Sequence, residues 1–68
     1  MKIKKLELFA IYKNGGHKGN QRGSDGIDAI NQYVIDSQLE DFLTDKDFMN
    51  QYSAIFAIEN IHYIKSKI

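Results

Sequence analysis

Apolar and polar residues alternate from Ile3 to Lys13: Ile3, Leu6, Leu8, Ala10 and Tyr12 fall mostly on one side, and Glu7, Phe9, Ile11 and Lys13 on the other. A period of two predicts a half-buried strand over residues 2–13. Asn14-Gly15-Gly16 follows, and these residue types tolerate the positive φ that a tight hairpin reversal demands. Residues 17–23 are polar and contain two glycines, which suits either a mobile loop or a short, exposed edge strand pairing back onto the first, and the strand is the expectation.

The period then lengthens. Ile27, Ile30, Tyr33 and Val34 recur at spacings of three and four behind Ser24 and Asp25, either of which can cap a helix, so a helix is expected over 25–36. At Ser37 the apolar register slips to Leu39, Phe42 and Leu43, and Ser37-Gln38-Leu39-Glu40 reads as a capping box that kinks or restarts the helix. Thr44-Asp45-Lys46-Asp47 offers another cap. Residues 45–58 then fit two periods, because Phe48, Met49, Tyr52, Ile55 and Phe56 form a helical stripe whereas the apolar run Ala54–Ile58 suits a strand. Residues 61–65, β-branched and aromatic with alternating polarity, predict a closing strand. The expected architecture is α+β: a single ββαβ domain over residues 1–68, its antiparallel sheet covered on one face by the helical segment.

A chain of 68 residues buries only about 60% of its unfolded surface, so the core must be thin. It contains no Cys, which removes disulfides and thiolate metal sites as reinforcement. Its longest apolar run is far short of the ~20 residues of a membrane span, and the lysines before Leu6 are not followed by a small-residue cleavage site. A cytoplasmic protein that does not enter a membrane is expected.

The formal net charge of zero conceals a division. Residues 1–24 hold Lys2, Lys4, Lys5, Lys13, Lys18 and Arg22 against Glu7 alone, while residues 25–59 hold Asp25, Asp28, Asp36, Glu40, Asp41, Asp45, Asp47 and Glu59 against Lys46 alone. This distribution excludes a simple polycation that coats nucleic acid.

Three groups of residues carry candidate chemistry. The first is the basic, glycine-rich segment 13–22, where Lys13, His17, Lys18 and Arg22 could hold phosphates. It matches neither the P-loop nor the dinucleotide fingerprint, and no aromatic lies within it to stack a base; its ordinary reading is a solvated hairpin. The second is the acidic run Asp36, Glu40, Asp41, Asp45 and Asp47. Its ordinary reading is helix capping and solubility; its sharper reading is a surface that imitates a phosphate backbone and docks on a basic partner protein. The third is a His/carboxylate zinc site drawn from His17, His62, Asp25, Asp28 and Glu59, which would reinforce the core within one chain or across a homodimer. No cofactor is otherwise expected.

Catalysis finds little to work with. Ser24 and Ser37 are explained as caps, Asp25 and Asp28 as first-turn carboxylates, and there is no nucleophile elbow or metalloprotease helix. The expectation is a non-enzymatic binding protein. Eight aromatics exceed what one helix over three short strands can hide, which points to a protein interface.

In overall character, as one short domain with the acidic block Asp36–Asp47, usage rich in Lys, Ile and Asn, and no catalytic motif, the chain resembles small phage and prophage anti-defence proteins, including inhibitors of CRISPR nucleases. The resemblance implies that Asp36, Glu40, Asp41, Asp45 and Asp47 occupy a basic surface of a nuclease or block its loading with nucleic acid. Binding of nucleic acid through Lys13, His17, Lys18 and Arg22 is the alternative.

Overall fold

A computed structural model describes residues 5–64. Strand β1 runs Glu7–Lys13 and β2 runs Gly16–Gly23. Lys13 pairs with Gly16 across a two-residue loop in which Asn14 (φ 52°) and Gly15 (φ 85°) are both left-handed. This is the reversal whose twist matches the flanking strands. Residues 1–4 of the predicted first strand lie outside the described residues.

Helix α1, Gly26–Asp36, starts where the sequence places it: the Asp25 carboxylate accepts the backbone N–H of Asp28 at 2.8 Å, and the Asp28 carboxylate accepts that of Ser24 at 2.8 Å. Its end corrects the capping-box expectation at Ser37. Leu39 N–H donates to the Val34 carbonyl at 3.0 Å and Gln38 N–H to that of Ile35 at 2.9 Å, with Gln38 left-handed at φ 63°. The pair of bonds makes a Schellman closure, so Ser37 terminates α1 and caps nothing after it.

A short 3-10 turn at Glu40–Phe42 and a single helical turn α2, Lys46–Met49, follow, the latter capped by the Asp45 carboxylate at 3.0 Å from Phe48 N–H. Strand β3 is Tyr52–Phe56. The contested segment is thus helix first and strand immediately afterwards, and the third strand lies earlier than the expected 61–65. Residues 59–63 instead close a turn, Asn60 N–H donating to the Tyr63 carbonyl at 2.7 Å; Lys65 lies outside the described residues. The alternation at Ile61–Ile64 is not answered by β1, which is already flanked by β2 and β3.

The sheet is antiparallel throughout, in the order β2-β1-β3. Cross-strand partners share a face, so Phe9, Ile11 and Lys13 stand with Gly19, Gln21, Gly23, Tyr52, Ala54 and Phe56 under α1. Phe9, Ile11 and Ala29 are the core there, supported by Ile30, Tyr33, Tyr52 and Ala54. Gly23 allows the closest approach: a Cβ on it would stand 2.5 Å from Ala29 N and 2.7 Å from Ala29 Cα. The outer face carries Leu8, Ala10, Tyr12, His17, Asn20, Arg22, Ser53 and Ile55. A bulge at Lys18 interrupts the β1–β2 ladder between the Ile11–Gly19 and Tyr12–His17 pairs. No helix of the described residues is long and apolar enough to cross a membrane.

Candidate functional site

The acidic residues lie along one arm, residues 36–47, joining α1 to α2, and all five are exposed. Asp36 is the last residue of α1, where a carboxylate opposes the helix dipole. Its side chain accepts from Gln21 Nε2 at 3.0 Å. Asp45 is consumed as a cap, as its ordinary reading holds, and Asp47 lies in the first turn of α2. Glu40 and Asp41 have no capping role to account for them. Among the described residues none of the five makes an ion pair.

Aromatic rings hold the arm. Phe42 stacks on Phe48 at 4.5 Å between centroids, Phe48 meets Tyr52 at 5.5 Å, and Tyr52 meets Tyr33 at 6.2 Å. Lys13 Nζ sits over the Phe48 ring at 4.8 Å and over Tyr52 at 5.5 Å. The rings tie the 3-10 turn, α2, β3 and α1 together, and the cation adds attraction to their faces. Burial, and then the neighbouring Tyr33, raises the Tyr52 phenol above the ordinary tyrosine value.

Between the arm and α1 lies a groove of about 330 Å³ lined by Ile27, Ile30, Asn31, Leu43, Met49, Asn50 and Tyr52. Ile27 is 74% exposed at its mouth. The groove walls are mostly apolar, with Asn31 and Asn50 as the polar lining residues, and none of the five acidic side chains of the arm is among them.

The cationic candidates are divided. Lys13 lies on the α1 side of the sheet over its two rings, whereas His17 and Arg22 belong to the outer face and Lys18 to the bulge.

The histidines, remote in sequence, meet. The tail after β3 crosses the outer face and brings His62 within 5.0 Å of His17, ring to ring, and 5.9 Å of Tyr12. His62 Nδ1 accepts from Ile58 N–H at 2.8 Å and therefore carries no proton, so Nε2–H donates to the Tyr12 hydroxyl at 2.9 Å. Asn20 Nδ2 donates to the His62 carbonyl at 2.9 Å, and its Oδ1 lies 2.9 Å from His17 Nε2. Zinc at His62 Nε2 would place the remaining ring proton on Nδ1, against the Ile58 N–H. Asp25 and Asp28 are occupied at the start of α1, and Glu59 lies in the tail turn. Among the described residues no three His, Asp or Glu side chains gather. Sequence reasoning missed the roles of Tyr12 and Asn20, whose contacts with His62 span 50 and 42 residues.

No protein-family model matches the chain, and neither a curated protein nor a solved structure is similar to it.

Proposed function

We propose that this chain is a small non-catalytic protein-binding domain that engages a basic partner through its acidic arm and the apolar groove beside it. The observation that supports this reading most is the position of Glu40 and Asp41: exposed, unpaired among the described residues, and in the same arm as the groove residue Leu43. Carboxylates on such an arm speed association and select a positive partner, while an apolar side chain entering the groove supplies retention. In its narrower form the proposal is an inhibitor of anti-defence type, whose arm takes the place of a phosphate backbone on a host nuclease.

The test compares wild type with a Glu40→Lys/Asp41→Lys double variant and with Ile27→Asp as bait in host lysate, followed by mass spectrometry. A protein held by wild type, released by salt and lost with both variants is the expected result. Unchanged capture by the folded double variant overturns the arm as the contact. If the captured protein binds nucleic acid, competition between that nucleic acid and this domain decides the narrower form.

A second reading draws on the outer face, where the Tyr12, His17 and His62 rings share the sheet surface with Arg22. Tight, steeply salt-dependent binding of DNA or RNA, weakened by Arg22→Ala and untouched by the arm variants, would favour nucleic acid over protein as partner.

A further inference from the structure

Strand β3 is an edge whose outward side has no strand beside it among the described residues. Which of its backbone groups point outward follows from the ladder. Asn14 N–H donates to the Gln51 carbonyl at 2.8 Å and Ala57 N–H to that of Leu8 at 3.0 Å, so residues 51, 53, 55 and 57 bond to β1 and residues 52, 54, 56 and 58 turn away. The last of these is already satisfied, since Ile58 N–H donates to His62 Nδ1. Tyr52, Ala54 and Phe56 remain as an open edge.

That edge lacks the devices that keep edges from pairing. From Tyr52 to Ile58 there is no charged residue and no proline. Apolar side chains stand exposed on both faces, Ile55 at 49% toward the outer side and Phe56 at 64% toward the α1 side. The segment is self-complementary. A two-fold axis beside Ala54 pairs Ala54 with itself and Tyr52 with Phe56 of the second copy, matching open donors with open acceptors at each pair.

We propose that β3 is a homodimer interface, two copies pairing antiparallel about Ala54 to form a continuous six-stranded sheet. A second copy fits better than a charged partner because the contact is neutral on both sides and its register closes on itself. Pairing the edges and covering Ile55, Phe56 and Ile58 removes on the order of 1,000 Å² in total from water, near the lower limit for a specific interface. The dimer is therefore concentration-dependent.

Sedimentation equilibrium over a wide concentration range, combined with residue-resolved hydrogen exchange, tests this. The expected result is a mass rising from one copy toward two, with the Tyr52, Ala54 and Phe56 amides gaining protection in step and Ile58 protected at every concentration. Phe56→Lys weakens association by about tenfold or more. Ala54→Pro, which removes only an outward N–H, does the same. If both variants fail to fold, the wild-type amides still decide. A chain monomeric to millimolar concentration overturns the proposal and leaves the edge to a strand from another protein; a dimer with those three amides open places the contact elsewhere and overturns it too.

Discussion

His62 Nε2 lies 2.9 Å from the Tyr12 hydroxyl, joining residues 50 apart in the chain and fastening the tail across the outer face of the sheet. The ring is held at both nitrogens, so its removal costs more than removal of the hydroxyl alone. His62→Ala should lower stability by about 1–2 kcal/mol and Tyr12→Phe by about 1 kcal/mol or less. Urea unfolding measures both, and hydrogen exchange at Ile58 should accelerate in the first variant and not in the second. Equal losses would mean that the Ile58 bond contributes nothing.

Zinc should leave the melting temperature unchanged. Ligation at His62 Nε2 competes with the proton arrangement that holds Ile58 N–H, so the metal would have to release the tail in order to bind. Elemental analysis of protein purified without a metal-affinity tag, with a thermal melt in added zinc, checks this; marked stabilisation by zinc would show that the histidines rearrange.

Gly23→Ala should be the most damaging of the small substitutions. The new methyl would stand 2.5 Å from Ala29 N and 2.9 Å from Ala29 Cβ, and the backbone of α1 must shift to admit it. A loss of about 3 kcal/mol is expected. Roughly 5 kcal/mol is all a domain of this size holds, so circular dichroism should show a thermal midpoint lower by about 10 °C or more.

Gln38→Gly should act in the opposite direction. Gln38 occupies the left-handed position after α1 at φ 63°, where a side chain crowds the backbone. Relieving that crowding outweighs the added freedom of the unfolded chain, and a gain of about 0.5 kcal/mol, or roughly 3 °C in Tm, is expected. A drop in Tm would show that the Gln38 side chain contributes more than its backbone geometry costs.

Tyr52 should titrate above the ordinary tyrosine value. Its phenol is raised by burial and by Tyr33, so above about pH 10 the unfolded chain loses a proton that the folded chain keeps. The stability that this proton contributes is fully present below pH 10 and disappears as pH climbs through the raised value. Absorbance at the phenolate band follows the titration, and Tyr33→Phe should bring Tyr52 part of the way back.

The local elements were the legible part of this fold. Alternation through Phe9–Tyr12, the Asn14-Gly15 reversal and the Asp25 cap depend on neighbours in sequence, and the structure has them as expected. What failed to show was decided between distant residues. Tyr52–Phe56 and Ile61–Ile64 have similar strand character, and the choice between them rests on pairing with β1, which holds Asn14 to Gln51 and Leu8 to Ala57. The acidic arm was visible as charge, but the rings that position it, Phe42, Phe48 and Tyr52, read equally well as core. The meeting of His17 with His62 depends on the path of the tail, which leaves no local trace.

The bulge at Lys18 gives the sheet two unlike borders. On β2 the extra residue breaks the spacing of the ladder, and Lys18 and Arg22 place exposed cations along that border, so an incoming strand meets both a misfit and charge. A ribbon that lengthens without limit needs a receptive border at each end of every unit. This unit offers one, so association along the sheet stops at a pair instead of extending into a fibre.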